Sequence, residues 1–352
     1  MKKNKIPLMI VAFLVVIAIF VFINRQTDST INKAETAFAV SDTASIDKIF
    51  LVNQNRQEVT LTRVQAGVWK VDDKFYVRND AMNTLLTTIK NVDVKSPIGK
   101  LGRTNVLKDL AAGGTKVEIY QNGKLVRRYY VGGETQDQLG TYMLLSDPET
   151  GKNSTDPFIM YIPGFDGYLT TRYFTKESGW RDRSVFRYIP TEIKSVRVQN
   201  NQQPEKSFQL NFINSNHFSL VSLSNSPFPK CDTIAVKQYF SYFQNINFEG
   251  FADNLPIHTR DSILNTAPGF IITVTDVKGN QKTLKTYAKS AQPDQLDQFG
   301  KPLVYDSDRF FGLIDGKDFV LMQYYGAGKI LQTEDYFNPD YDHLNTNNAV
   351  KK

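Results

Sequence analysis

One cysteine and three histidines in 352 residues leave little material for metal or redox chemistry. Cys231 stands alone, which excludes an internal disulfide and a cysteine-built metal cluster. His217, His258 and His343 are far apart and read as a strand residue, a loop residue and a tail residue. None comes with a partner motif that would make it a catalytic base. The HExxH, GxSxG, P-loop and GxGxxG signatures are all missing, so zinc, serine-nucleophile and nucleotide chemistry have no foothold. The sequence accordingly assigns no catalytic residue, no cofactor and no metal ligand.

Basic charge is also scarcer than the formal +6 suggests. Five of those charges are Lys2, Lys3, Lys5, Lys351 and Lys352, at the two ends of the chain, and a single net positive charge remains between them. A nucleic-acid binder needs a basic stripe on its folded part, so nucleic acid is excluded as a partner.

What is present begins with "IPLMIVAFLVVIAIFVFI", 18 uncharged residues from Ile6 to Ile23. As a helix this run covers about 27 Å, close to a hydrocarbon core of roughly 30 Å. Fourteen positions are Leu, Ile, Val or Phe, which together favour insertion by roughly 6 kcal/mol. Three lysines precede the run and Arg25 follows it, so the positive-inside rule leaves residues 1–5 in the cytoplasm and exports the rest. A cleaved signal peptide would be shorter and would carry a small-residue site close behind. The only such site, Ala37 to Ala39, comes late, and no cysteine follows for lipoprotein processing. The expectation is a retained single-pass anchor in the cytoplasmic (inner) membrane over 6–23, a polar tether over 24–44, and an extracytoplasmic folded part.

The folded part reads as one α+β pattern written twice, over 45–190 and 191–335, with a polar tail over 336–352. Ile46, Ile49 and Leu51 are followed by Val59 and Leu61, then by Trp69 and Val71, as short alternating strands. Ala81, Leu85, Leu86, Ile89 and Val92 then form a helical stripe behind an Asn79 or Asp80 cap. A short helix, "TNVLKDLAA", leads to a hairpin turning at Asn122-Gly123. The order returns with Ile193, Val196 and Val198, then Phe208, Leu210, Phe218 and Leu220. A stripe of Ala235, Tyr239, Phe240, Phe243 and Ile246 follows, then "TRDSILNTA" in place of the short helix and a hairpin at Gly279. Spacing, element order and turn positions agree while identities do not, which is the mark of a tandem repeat.

Taken together, an N-terminal anchor, "IDKIFLV", "GVWKV", "NDAMNTLLTTI", "FIMYIPGF", "WRDRSVF" and "IKSVRV" resemble a bacterial family called domain of unknown function 4340. The resemblance spans nearly all of the folded part. It implies a Bacteroidetes-type envelope protein, often found beside genes resembling the ABC-transporter accessory proteins of gliding motility. It therefore implies a protein partner in the cell envelope and an auxiliary role, and it supplies no catalytic residues.

Two clusters remain. Asp306, Asp308, Asp315 and Asp318 lack the spacing of a calcium loop and read as turn residues of a hairpin. Trp180, Arg181, Asp182 and Arg183 sit between the two repeats. Paired guanidinium groups can fork an anion, but the segment has no counterpart in the second repeat. The expectation is a clamp with Trp180 buried between the two lobes. "DTA", Asp42 to Ala44, also resembles an O-glycosylation acceptor. Function is expected to be that of a binding or accessory module, with an envelope hydrolase acting on exported glycans or peptides as the alternative.

Overall fold

Ile46 and Ile49 are three residues apart, Ile49 and Leu51 two, and a flat strand cannot point all three the same way. The computed structural model, which describes Val15 and residues 36–214, 217–224 and 231–341, resolves this with a bulge. The pairing register shifts between Ile46 and Lys48, and all three apolar side chains reach one core. Ile193, Val196 and Val198 repeat the spacing, and the register shifts again between Ile193 and Ser195.

The chain is α+β and sheet-rich, with two compact units that divide between Asp182 and Arg183. The first unit contains β1 (Ile46–Val52), β2 (Glu58–Gln65), β3 (Val68–Val71), β4 (Phe75–Tyr76), β5 (Asp93–Pro97), β6 (Thr115–Gln121), β7 (Lys124–Glu134), β8 (Thr141–Ser146) and β9 (Phe158–Tyr161). They form one antiparallel sheet in the order β4-β3-β2-β1-β6-β7-β8-β9-β5. The second unit opens with β10 (Ser184–Phe186), which pairs with β14 (Ile246–Asn247). Its main sheet uses β11 (Ile193–Asn200), β12 (Phe208–Asn214), β13 (His217–Ser222), β15 (Gly250–Phe251), β16 (Phe270–Asp276), β17 (Gln281–Ser290), β18 (Tyr305–Ile314) and β19 (Asp318–Gln323). Their order, β13-β12-β11-β16-β17-β18-β19-β15, is that of the first sheet without β4.

The register matches as well as the order. Leu61 lies opposite Val71 and Arg63 opposite Trp69; Leu210 lies opposite Leu220 and Phe212 opposite Phe218. In the first unit Arg63 stacks over the Trp69 ring at 4.5 Å, and in the second Phe212 meets Phe218 edge-on at 5.4 Å. The chemistry differs and the geometry is kept.

One helix covers the inner face of each sheet. Helix α1 (Asn79–Asn91) buries Ala81, Met82, Leu85 and Ile89. Asn79 and Asp80 do not cap it: the N-cap is Arg78, and Asp80 sits in the first turn, held by the Arg78 guanidinium at 2.6 and 2.8 Å. Helix α2 (Lys100–Gly113), longer than expected, packs Val106 and Leu110 on the outer face against Leu144. Helix α3 (Thr233–Tyr242) is capped by Asp232, whose carboxylate accepts from the Ile234 N–H, and buries Ala235, Val236, Tyr239 and Phe240. Helix α4 (Ile257–Leu264) sets Ile263 and Leu264 against the outer cluster of Tyr287, Phe311 and Phe319.

Three expected boundaries move. The tether does not run to residue 44, because Phe38 and Val40 are buried in the first core. The tail does not begin at 336, because Tyr336 and Phe337 are buried in the second. The break between units precedes Pro190, which only opens a short 3-10 turn over Pro190–Glu192. In the first two cases an aromatic or apolar side chain within a polar stretch finds a core, and burial outweighs composition. The expected anchor over 6–23, apart from Val15, and the last histidine, His343, lie outside the described residues. Among the described residues no helix is long and apolar enough to cross a membrane.

Candidate interaction surfaces

Trp180 is fully buried, but inside the first unit's own core. Its indole packs against Phe174, tilted by 31° with ring centroids 4.0 Å apart, and its ring N–H donates to the Phe174 carbonyl at 2.8 Å. The backbone around it extends the sheet beyond β4: the Arg78 N–H donates to the Trp180 carbonyl and the Asp182 N–H to the Tyr76 carbonyl. The expected position between the lobes is therefore corrected, since Trp180 completes one core. The Arg181 guanidinium lies 3.7 Å from the Phe75 ring centroid and 4.0 Å from Glu177. Arg183 belongs to the second unit, where its Nη1 donates to the Glu249 carbonyl at 2.6 Å. The contiguous sequence motif is thus shared out to different tasks.

The two described histidines sit on different elements. His217 is exposed on β13, its Nδ1 3.1 Å from the Asn214 side chain. His258 is exposed and lies in the first turn of α4, not in a loop. The four aspartates also separate. Asp315 occupies the β18–β19 turn with φ 50°, as expected. Asp318 opens β19, and Asp308 lies exposed in β18. Asp306 is no turn residue. It is buried at the start of β18, where Lys289 reaches it at 2.8 Å and the N–H groups of Asp308 and Arg309 donate to it. Among the described residues no group of three His, Cys, Asp or Glu side chains is placed to hold a metal.

Electrostatics within the units run one way. Burial pushes the Asp306 carboxyl upward, but the Lys289 ammonium and the two amides outweigh it and hold it below the ordinary range. Glu118 on β6 behaves alike: burial raises it, and Tyr120, Lys116 and Arg128 pull it lower still. Asp137, Asp147, Glu249 and Asp276 are all lowered, chiefly by hydrogen bonds from their own turns or from Arg309. Burial raises the Cys231 thiol, which leaves it a poor nucleophile.

Lys289→Met is expected to cost about 1–3 kcal/mol at neutral pH, because the buried Asp306 carboxylate keeps only its two amide donors. A lowered folded-state pKa means stability present above the unfolded value and lost as pH falls through the folded one. The gap between variant and parent should therefore narrow as pH falls below about 4 and close only beneath the lowered folded-state value. Urea unfolding at pH 7 and pH 3.5 measures it, and an equal gap at both values contradicts the pairing.

Two solvent-facing regions distinguish the units. On the outer face of the first sheet, Lys48 stands over Tyr120 at 3.8 Å and Lys116 over Phe50 at 5.6 Å. The register puts Ser195, Thr275, Arg197 and Ile271 at the matching places of the second. The β17–β18 connection is the other. It carries exposed Leu296, Phe299 and Val304, and β18 opens on exposed Tyr305. The matching β7–β8 loop is short, with Asp137, Gln138 and Leu139 where the longer one has Asp294, Gln295 and Leu296. That recurring tripeptide is the one signal in the sequence for an insertion here. A shallow open groove of about 410 Å³ along α1, lined by Thr43, Asn83, Leu86, Thr87, Lys90 and Asn91, completes the surface. The Thr43 of the "DTA" segment borders that groove, and Asp42 caps its turn through the Ala44 and Ser45 N–H groups.

Comparison of the chain with protein-family models, curated proteins and solved structures gives no match.

Proposed function

We propose that this protein is a membrane-anchored extracytoplasmic binding or accessory module, auxiliary to an envelope transport system of the ABC type. The observation that favours a module over a hydrolase is that Glu118, Glu249 and Asp306 are each tied to basic side chains of their own unit. A glycan or peptide hydrolase working by acid–base chemistry needs one carboxyl held protonated beside another held ionised. Here the displaced carboxyls serve turns and ion pairs. The common strand order, the shared bulge and the paired positions of Trp69 and Phe218 favour two copies of one ancestral unit. Copies that keep a framework and differ in loops and faces are suited to recognition. The resemblance to domain of unknown function 4340 supports the envelope setting, and the hydrophobic run over 6–23 supports the anchor.

Purification of the full chain from membranes in mild detergent tests the role. Recovery of transport-system components in stoichiometric amounts is the expected result, and a chain that elutes alone overturns it. Protease added to spheroplasts tests the topology. The folded part should be digested, and the mature N-terminus should begin at Met1 or Lys2. A chain beginning near residue 40 would refute the anchor.

A further inference from the structure

The two units share a framework, and one of the places where they part company is a connection between strands. The first joins β7 to β8 with six residues, 135–140, and the second joins β17 to β18 with fourteen, 291–304. The extra length is ordered as a two-stranded ribbon. Ala291 N–H donates to the Val304 carbonyl at 3.1 Å and Leu303 N–H to that of Gln295 at 2.9 Å, and Leu296 pairs with Pro302. A turn closes it at Gly300, with φ 78°, where the Asp297 carboxylate accepts from the Phe299 and Lys301 N–H groups.

None of residues 291–304 is buried. Phe299 at the turn is 78% exposed, Leu296 and Val304 are 53% and 74% exposed, and Tyr305 at the base is 60% exposed. A scattered apolar residue on a surface needs no explanation, but a ribbon that carries three, with a fourth at its base, has no core to serve.

We propose that this ribbon dips into the interfacial region of the lipid bilayer. The inference rests on the anchored reading given above. The apolar run ends at Ile23 and the described chain resumes at Thr36. The twelve residues between them span roughly 40 Å, which keeps the start of the first unit beside a bilayer and the second, continuous with it in the chain at Arg183, within reach of the same surface. The residue types follow the depth order of an interfacial element: a phenylalanine at the tip, aliphatic side chains behind it, and a tyrosine at the base, where a ring with a polar edge suits the headgroup level. Asp294 and Asp297 against Lys301 leave the ribbon one net negative charge. Its attachment is therefore apolar and does not need anionic lipid.

The test uses the full chain carrying Phe299→Trp in nanodiscs of zwitterionic lipid, with and without bromine on the acyl chains. The two native tryptophans, Trp69 and Trp180, are buried in the first core and give a background that the parent chain measures. Immersion of about 5–10 Å brings the new indole to the acyl boundary, so its emission should shift to the blue and fall roughly twofold in brominated discs. Emission that stays solvent-like and unquenched, from chain that co-fractionates with discs, overturns the ribbon and leaves the anchor standing. A blue shift without quenching overturns it too, since the ribbon is then covered by protein, either a second copy or a partner. Chain that fails to enter discs refutes the anchor instead. In that case, quenching by added brominated vesicles upholds the ribbon alone, and no quenching removes both.

Discussion

Trp180→Ala is expected to lower the stability of the first unit by about 3–5 kcal/mol, the range for truncating a buried tryptophan. The side chain is fully buried, packs against Phe174 and satisfies its one polar atom on the Phe174 carbonyl. Alanine would remove the ring, strip Phe174 of its partner and strand that carbonyl. The loss reaches further, because the backbone at Trp180 and Asp182 extends the sheet edge past β4 through the Arg78 and Tyr76 bonds. The emission of Trp69, in the same core, reports the first unit directly. Its urea midpoint should fall in the variant. Arg183→Ala removes, among its other contacts, the bond to the Glu249 carbonyl in the second unit, so its expected cost there is at least about 1 kcal/mol. An unchanged Trp69 midpoint in Trp180→Ala would show that the indole does not serve this core.

The contrast between these two residues, three apart in sequence, shows what was and was not legible. Local periodicity was. The three-then-two spacing of Ile46, Ile49 and Leu51, met again at Ile193, Val196 and Val198, encodes both the strand and its bulge. The pairing of Trp69 with Phe218 follows from the same patterning, because a strand register is set by which side chains must face inward. Single aromatics outside periodic runs were not legible. Phe38 lies among alanines, threonine and serine, and Tyr336 and Phe337 among acids and asparagines, so composition describes both stretches as solvated. Each nevertheless gains a buried site from strands far away in the chain, and no local window contains that information. Asp306 failed for the same reason. As one of four spaced aspartates it looked like a turn residue, and only Lys289, 17 residues earlier, makes it a buried ion-pair partner. The ribbon was half legible: the recurrence of Asp-Gln-Leu marks the insertion, whereas the exposure of Phe299 depends on where β17 and β18 end.

Phe38→Ala carries the second large expectation, again about 3–5 kcal/mol, and it bears on how the N-terminus is processed. The Phe38 ring is fully buried, tilted toward Tyr129 at 6.0 Å and edge-on to Phe158 at 6.2 Å. Two residues on, the Val40 N–H donates to the Ile89 carbonyl at the end of α1. The rival to a retained anchor is cleavage after Ala39, at the only small-residue site behind the hydrophobic run. That cut would delete Phe38 and leave its cavity among the rings. It would also turn the Val40 amide into a charged terminal amine where a neutral N–H now meets a carbonyl. A chain beginning at Val40 should therefore unfold at lower urea than one beginning at Thr36, by at least as much as Phe38→Ala lowers the latter. Under the proposed topology, a cut at Ala39 would discard a core residue, which favours the uncut chain over the cleaved one. Equal midpoints for the two chains would show that Phe38 contributes nothing to the core, and would return cleavage at Ala39 to an equal footing with the anchor.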